Sequence, residues 1–250
     1  MTFIVAVAGK GGVGKSTLSA LLVKAIAERT KTVVMAVDAD PNSNLGEKLG
    51  MKVEHTIGEL REDLLRKAEE LSSGISKHEL VRYQMEMAKV EGSNFDLLTM
   101  GRPEGRGCYC YINNILRTFI DEAMDGYEFV IIDNEAGMEH LSRRTTKRMD
   151  VLLVVSDGTK LGVETAKRIL ALAKGMEIEV GRTLLAVNRV QGALGDKVGA
   201  EIEGAGFGSV VYLPYDSKVE ELAIAGSPVV QLDMSSQFYR AVRDLAYSLK

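Results

Sequence analysis

Residues 3–17 read Phe3-Ile4-Val5-Ala6-Val7-Ala8-Gly9-Lys10-Gly11-Gly12-Val13-Gly14-Lys15-Ser16-Thr17, and they decide the fold. Phe3–Ala8 is a short apolar run, rich in valine, of the kind that forms a strand buried on both faces. Gly9 to Ser16 follows the spacing G-x-x-x-x-G-K-[ST]. Glycines there let the backbone come close to an anion and aim its N–H groups inward. From Lys15 to about Glu28, Leu18, Leu21, Leu22, Ala25 and Ile26 recur at helical spacing. Strand, glycine turn and helix in that order place the positive end of a helix on a phosphate. Lys15 is expected to bridge β- and γ-phosphates, and the Ser16 hydroxyl, followed by Thr17, to hold Mg²⁺.

Outward from this unit the pattern repeats. Thr32–Val37 reads as a second strand and ends in Asp38-Ala39-Asp40-Pro41. Residues 56–90 are charged and read as helical, as do residues 112–124. Further strands are expected at Phe95–Thr99, Glu128–Asp133, Val151–Val155, Thr183–Val187 and Val210–Leu213, with helices at about 161–175, 196–204 and 235–249. Alternating strands and helices specify an α/β fold, a mostly parallel twisted sheet with helices on both faces. No linker or repeat interrupts it, so residues 1–250 are read as one domain.

Ligands of open α/β sheets bind at the carboxyl ends of the strands. That rule brings Asp38 and Asp40 to the phosphate loop. It also brings Asp133, which ends the apolar run Phe129–Ile132 and is placed to serve the magnesium shell. Asn188 follows Thr183–Val187 and Pro214 follows Val210–Leu213, so both fall at the same end of the sheet.

Hydrophobic residues make up 46% of the 250 and charged residues 26%, with a net charge of −4. No basic block offers a face to nucleic acid or to an anionic membrane, and no apolar run approaches the ~18 residues of a membrane span. Neither partner is expected. The absence of a leader-like N-terminus points to the cytoplasm. The two cysteines stand one residue apart, as Cys108-Tyr109-Cys110. In extended chain both sulfurs face one side. One chain then offers two thiolates where a closed tetrahedral soft-metal site takes four. Two copies about a two-fold axis would complete it, with Zn²⁺, Ni²⁺ or an iron–sulfur cluster as occupants. Two incidental loop thiols would look the same in isolation. His55, His78 and His140 are scattered and read as surface or capping residues. The eleven methionines read as core filler.

Lys10 exceeds what a phosphate loop needs. The loop resembles the deviant Walker motif x-K-G-G-x-x-K-[ST] of the SIMIBI class of dimeric P-loop ATPases. This resemblance implies that Lys10 reaches the partner's nucleotide across a two-fold interface, so that ATP becomes part of a homodimer contact. It also implies that Asp40, before Pro41, positions the attacking water, that Asp38 supports Mg²⁺ through water, and that Asn134-Glu135-Ala136-Gly137 is a second switch. There Gly137 turns its N–H to the γ-phosphate. Asn134 stands where the class commonly has threonine or serine. Glu135 also departs from the class pattern, so it is given no catalytic role and is read as facing a client. Asn188 and Pro214 fall where the class contacts adenine. Residues 101–110, Gly101-Arg102-Pro103-Glu104-Gly105-Arg106-Gly107-Cys108-Tyr109-Cys110, together with the two-lysine loop and Asp38–Pro41, resemble the CooC family of carbon monoxide dehydrogenase maturation factors. What that implies is a dimeric ATPase that hydrolyses ATP to ADP and couples the cycle to nickel insertion into the dehydrogenase. Two alternatives remain. One is an iron–sulfur carrier, although those relatives space their cysteines differently. The other is a positioning ATPase of the MinD and ParA kind, which would carry a basic amphipathic C-terminal helix.

Overall fold

The computed structural model describes residues 1–60, 83, 86–101, 121–122, 124–136, 148–175, 178–193 and 195–250. In chain order the elements are β1 (Phe3–Gly9), α1 (Lys15–Thr30), β2 (Val34–Ala39), α2 (Leu45–Leu49), β3 (Lys89–Val90), β4 (Phe95–Thr99), β5 (Phe129–Asn134) and β6 (Arg148–Asp157). They continue with α3 (Lys160–Gly175), β7 (Glu179–Val190), α4 (Asp196–Glu203), β8 (Ser209–Pro214), α5 (Ser217–Ile224), a 3-10 turn at Val229–Gln231 and α6 (Gln237–Ser248). The strands form one sheet in the order β3-β4-β2-β5-β1-β6-β7-β8. Every pairing is parallel except β3 with β4.

The expected mostly parallel sheet with helices on both faces is the observed one. On one face α1 and α6 cover Val5, Val7, Ala36, Phe129, Ile131 and Leu153. On the other, α3 and Ile202 of α4 cover Ala6, Ala8, Leu152, Val154 and Leu185. Residues of α1 are buried around most of its circumference: Leu18, Ala20, Leu21, Leu22, Val23, Ala25 and Ile26 are fully buried. The sheet lies on one side of α1 and α6 on the other, so a single stripe would not suffice. In and just beyond α6, Phe238, Val242, Leu245 and Leu249 are all buried. Lys24 ties α1 to the chain before α6, donating to the carbonyls of Val230 at 2.8 Å and Leu232 at 2.5 Å.

Several elements differ from the expectation. Helix was read through residue 90, yet Lys89 and Val90 pair antiparallel with Leu98 and Leu97. That pairing satisfies the outer edge of β4, which would otherwise stand open. α2 and α5 were not anticipated. α2 has five residues, too few to show a period, and α5 buries none of its side chains completely. β6 and β7 extend beyond their apolar centres because the sheet rim tolerates polar residues. Arg148 pairs with Asp150 at 2.5 Å, and Asp150 Oδ2 accepts the Ile4 N–H at 2.8 Å. Among the described residues no helix is long and apolar enough to cross a membrane.

Leu22→Ala removes a fully buried side chain between sheet and α6 and is expected to cost about 2–5 kcal/mol. Leu172→Ala, on the outer face of α3, is expected to stay within about 0.5 kcal/mol. Chemical denaturation of the two variants measures the contrast.

Candidate functional site

The loop between β1 and α1 is held by its neighbours. Gly9 has φ 152°, and a Cβ there would lie 2.3 Å from the Val155 carbonyl oxygen of β6. Gly14 has φ 96°, and its Cβ would lie 2.6 Å from Asn188 Nδ2 of β7. That same amide nitrogen donates to the Val13 carbonyl at 2.7 Å, so Asn188 braces the loop from below. α1 then starts at Lys15 with no side-chain cap and no acidic residue in its first turn. Helices ordinarily satisfy those first N–H groups with a Ser, Thr, Asp or Asn side chain. Here they are left for an external anion, and the helix end carries partial positive charge.

Lys15 is buried and donates from Nζ to the Lys10 carbonyl at 3.3 Å, bent back over the loop. Lys10 is exposed, and its ammonium makes no ion pair or hydrogen bond among the described residues. A cavity of ≈ 460 Å³ opens over the loop, lined on one wall by Gly11, Gly12, Gly14, Lys15, Ser16 and Thr17. Its other walls come from Asp40, Pro41, Asn42, Asn44 and Lys48, and from Glu135, Ala136 and Arg189. A second cavity of ≈ 360 Å³ shares Gly14, Thr17 and Arg189 with the first and is completed by Asn188, Pro214, Tyr215, Asp216 and the start of α5. Joined end to end, they offer one polar chamber for phosphates and one more apolar chamber for a base and sugar.

The carboxylates of the sequence reading come together. Asp38 and Asp133 are register partners on neighbouring strands, and both are fully buried. Asp133 Oδ1 accepts from Ser19 Oγ at 3.0 Å, while Oδ2 has no hydrogen-bond partner among the described residues. Burial pushes Asp133 up to about 6, against the pull of the Ser16 and Ser19 hydroxyls and the Lys15 charge. A buried carboxylate oxygen left open beside Ser16 is the donor set that a hard divalent cation takes. The residues therefore fit Mg²⁺, with Ser16 and Asp133 as the groups that would hold it.

Asp38, expected to support Mg²⁺ through water, also holds the backbone. Its Oδ1 accepts the Asp40 N–H at 3.1 Å and its Oδ2 the Leu45 N–H at 2.9 Å. One carboxylate thus pins both ends of the segment 40–45. Burial raises Asp38 to about 7, with the Leu45 N–H opposing the rise and the Asp133 charge adding to it. Asp40 is half-buried on the cavity wall. Its Oδ1 accepts from the backbone and side-chain nitrogens of Asn42, both at 2.9 Å, and its Oδ2 accepts nothing among the described residues.

Asn134 turns into the sheet, donating to the carbonyls of Val7 at 3.0 Å and Ile132 at 3.3 Å. Glu135 lines the phosphate chamber. Gly137, Cys108 and Cys110 lie outside the described residues. Among the described residues no group of three or more His, Cys, Asp or Glu side chains is arranged to hold a metal. Three features escaped the sequence reading. Lys48 and Arg189 line the phosphate chamber, and Arg189 holds a left-handed φ of 58°. Asp216 caps two helices at once, accepting from Lys218 N at 3.0 Å, Ser236 Oγ at 2.7 Å and Phe238 N at 3.2 Å. Burial pushes its carboxyl up, but those bonds win and hold it low. An aspartate just before an amphipathic run is a helix-start signal that could have revealed it.

Because Asp133 titrates higher in the fold than in the unfolded chain, the fold binds more protons between about pH 4 and 6, and stability falls as pH rises through that window. Asp133→Asn keeps an acceptor for Ser19 and removes the buried charge. In EDTA without nucleotide it is expected to stabilise the protein by up to about 3 kcal/mol at pH 8 and by almost nothing at pH 4. Thermal melts at the two pH values test this, and an equal effect at both would refute it.

Residues 1–184 match the AAA domain family. An uncharacterized ATP-binding protein of Methanocaldococcus jannaschii is 42% identical over 97% of this chain and 96% of its own length. The carbon monoxide dehydrogenase accessory protein CooC of Rhodospirillum rubrum is 33% identical over 70% of each chain. Among solved structures, a ParA family ATPase of Chlorobium tepidum superposes with a TM-score of 0.74 at 20% identity, covering 100% of this chain and 99% of its own. MinD of Pyrococcus horikoshii, solved with Mg-ADP, superposes at 0.70 with 19% identity over 100% and 96%. With a brace of strand ends around an uncapped helix start, and with ATP-binding relatives along its length, this chain belongs to the AAA domain family and has the fold of the MinD and ParA P-loop ATPases.

Proposed function

We propose that the chain, working as one domain over residues 1–250, is a homodimeric ATPase of the CooC type that couples ATP binding and hydrolysis to nickel delivery. Its client on this reading is carbon monoxide dehydrogenase. The observation that carries the proposal is the division of labour between the two loop lysines. Lys15 is buried over its own loop, whereas Lys10 is exposed and its ammonium has no ion pair among the described residues. A cation in that position suits a second nucleotide on a facing copy, as an arginine finger suits a partner's active site.

On this reading the phosphates lie on the N–H groups of residues 11–17 and are neutralised by Lys15. Mg²⁺ held by Ser16 and Asp133 would offset the charge that gathers on the β- and γ-oxygens. Asp40, its Oδ1 fixed by Asn42, presents Oδ2 to orient the attacking water and take its proton. Asp38 acts by holding Asp40's segment. Asn188 and Pro214 form the wall for adenine, Asn188 through its remaining carbonyl lone pair, since its amide nitrogen is engaged by Val13. The metal part of the proposal rests on the sequence pair Cys108 and Cys110 and on the likeness to CooC. Four thiolates from two copies would hold Zn²⁺ or Ni²⁺ on the two-fold axis.

A second reading, a positioning ATPase, draws support from the likeness of fold to ParA and MinD. Against it, α6 spends its apolar face, Phe238, Tyr239, Val242, Leu245 and Ala246, inside the core. That helix has no apolar stripe left to offer a lipid surface.

Lys10→Ala is expected to retain nucleotide affinity but to lose the dimer that a non-hydrolysable ATP analogue induces, as read by sedimentation. Undiminished dimerisation in the variant would remove the trans role. Metal analysis of untagged protein separates the readings further. One Zn²⁺ or Ni²⁺ per two chains, lost in a Cys108→Ala, Cys110→Ala double variant that still binds nucleotide, is the expected result. Iron with sulfide would point to a cluster carrier. Metal-free protein that pellets with liposomes on ATP would point to a positioning ATPase.

A further inference from the structure

The phosphate chamber carries a cation that the loop motif does not account for. Lys48 sits on α2 and lines the wall opposite Lys15, half-buried, with no ion pair or hydrogen bond to its ammonium among the described residues. We infer that Lys48 is a γ-phosphate ligand that lets this chain tell a nucleoside triphosphate from a diphosphate. The inference rests on reading the chamber as the ATP site.

Three observations support it. The first is charge. Lys15, Lys48 and Arg189 line the chamber against the carboxylates of Asp40 and Glu135. A triphosphate with one divalent cation keeps about two negative charges, more than the single charge of Lys15 offsets. If Lys10 serves a facing copy, that charge must come from elsewhere in the chain, and Arg189 stands at the seam with the base chamber.

The second is placement. α2 is anchored from beneath by Leu45 and Leu49, both buried, and ends on Gly50 in the left-handed region at φ 73°. Its first residue is tied to the floor of the site by the Leu45 N–H bond to Asp38. Lys48 therefore projects from a fixed short helix rather than from a loose surface. The third is linkage to the water-positioning residue. The same Asp38 carboxylate binds the Asp40 N–H, so Asp40 and Lys48 belong to one segment hung from one anchor. A γ-phosphate caught by Lys48 would set the position of Asp40 relative to the phosphorus. A diphosphate leaves both ungrasped.

The test compares affinities for a non-hydrolysable ATP analogue and for ADP, with Mg²⁺, in the wild type, Lys48→Met and Lys48→Arg. The expected result is a loss of roughly 10- to 100-fold for the analogue in Lys48→Met, the range of a charged hydrogen bond, with ADP affinity unchanged and most of the loss restored in Lys48→Arg. Equal weakening of both nucleotides, or of neither, overturns the assignment. A wild-type protein that binds neither nucleotide would instead bring down the ATP reading on which it rests. Circular dichroism and melting temperature of Lys48→Met, expected to match the wild type, separate loss of the ligand from loss of α2.

Discussion

At Gly9 the chain passes the Val155 carbonyl so closely that no side chain fits, and at Gly14 it passes the Asn188 amide in the same way. The geometry of the rest of the site descends from those two approaches. They draw the loop tight between β1, β6 and β7, and the Asn188 bond to the Val13 carbonyl locks it there. α1 must therefore begin where it does, with its first N–H groups turned outward and no side chain to satisfy them. Backbone dipoles fixed by packing need no rearrangement when an anion arrives, which is why such sites are strong.

The sheet order explains why the acids meet the loop. β1 lies between β5 and β6, and β2 lies beyond β5. The parallel register sets Val7, Asp133, Asp38 and Thr99 in one row across four strands. Their side chains share the α1 face, so Asp133 reaches Ser19 of α1 while Asp38 reaches the α2 start. The same topology leaves the far side of the loop to β7 and β8, whose ends form the second chamber. One crossover pattern thus produces two chambers with different chemistry.

Much of this was legible in the residues. β1, the loop and α1 are a local unit whose spacing carries its own context, and β4 was placed to the residue, between the turn formers Gly92-Ser93-Asn94 and Gly101. Asp40 and Pro214 fell on the chamber walls, and Asp133 behind them in the core, because strand ends are easy to locate. What could not be read was anything that depends on tertiary pairing. β3 is two residues long and exists through β4 alone. Lys48 gained its place from a five-residue helix that has no sequence period. Asn134 carried a motif position, yet its amide found Val7 in the neighbouring strand and turned away from the chamber. Asp216 joins α5 to α6 through its second oxygen, a contact that no local pattern carries.

Burying Asp38 and Asp133 side by side has a consequence outside catalysis. At neutral pH Asp133 is mostly ionised and Asp38 only partly so, and each negative charge would be better hydrated in the unfolded chain. Any cation-carrying ligand that settles beside them lowers that penalty for the native state alone, and its concentration then shifts the folding equilibrium by mass action. The population of partly opened molecules available to a protease follows the same equilibrium. A ligand of that kind would therefore protect the folded chain from cleavage in proportion to its concentration.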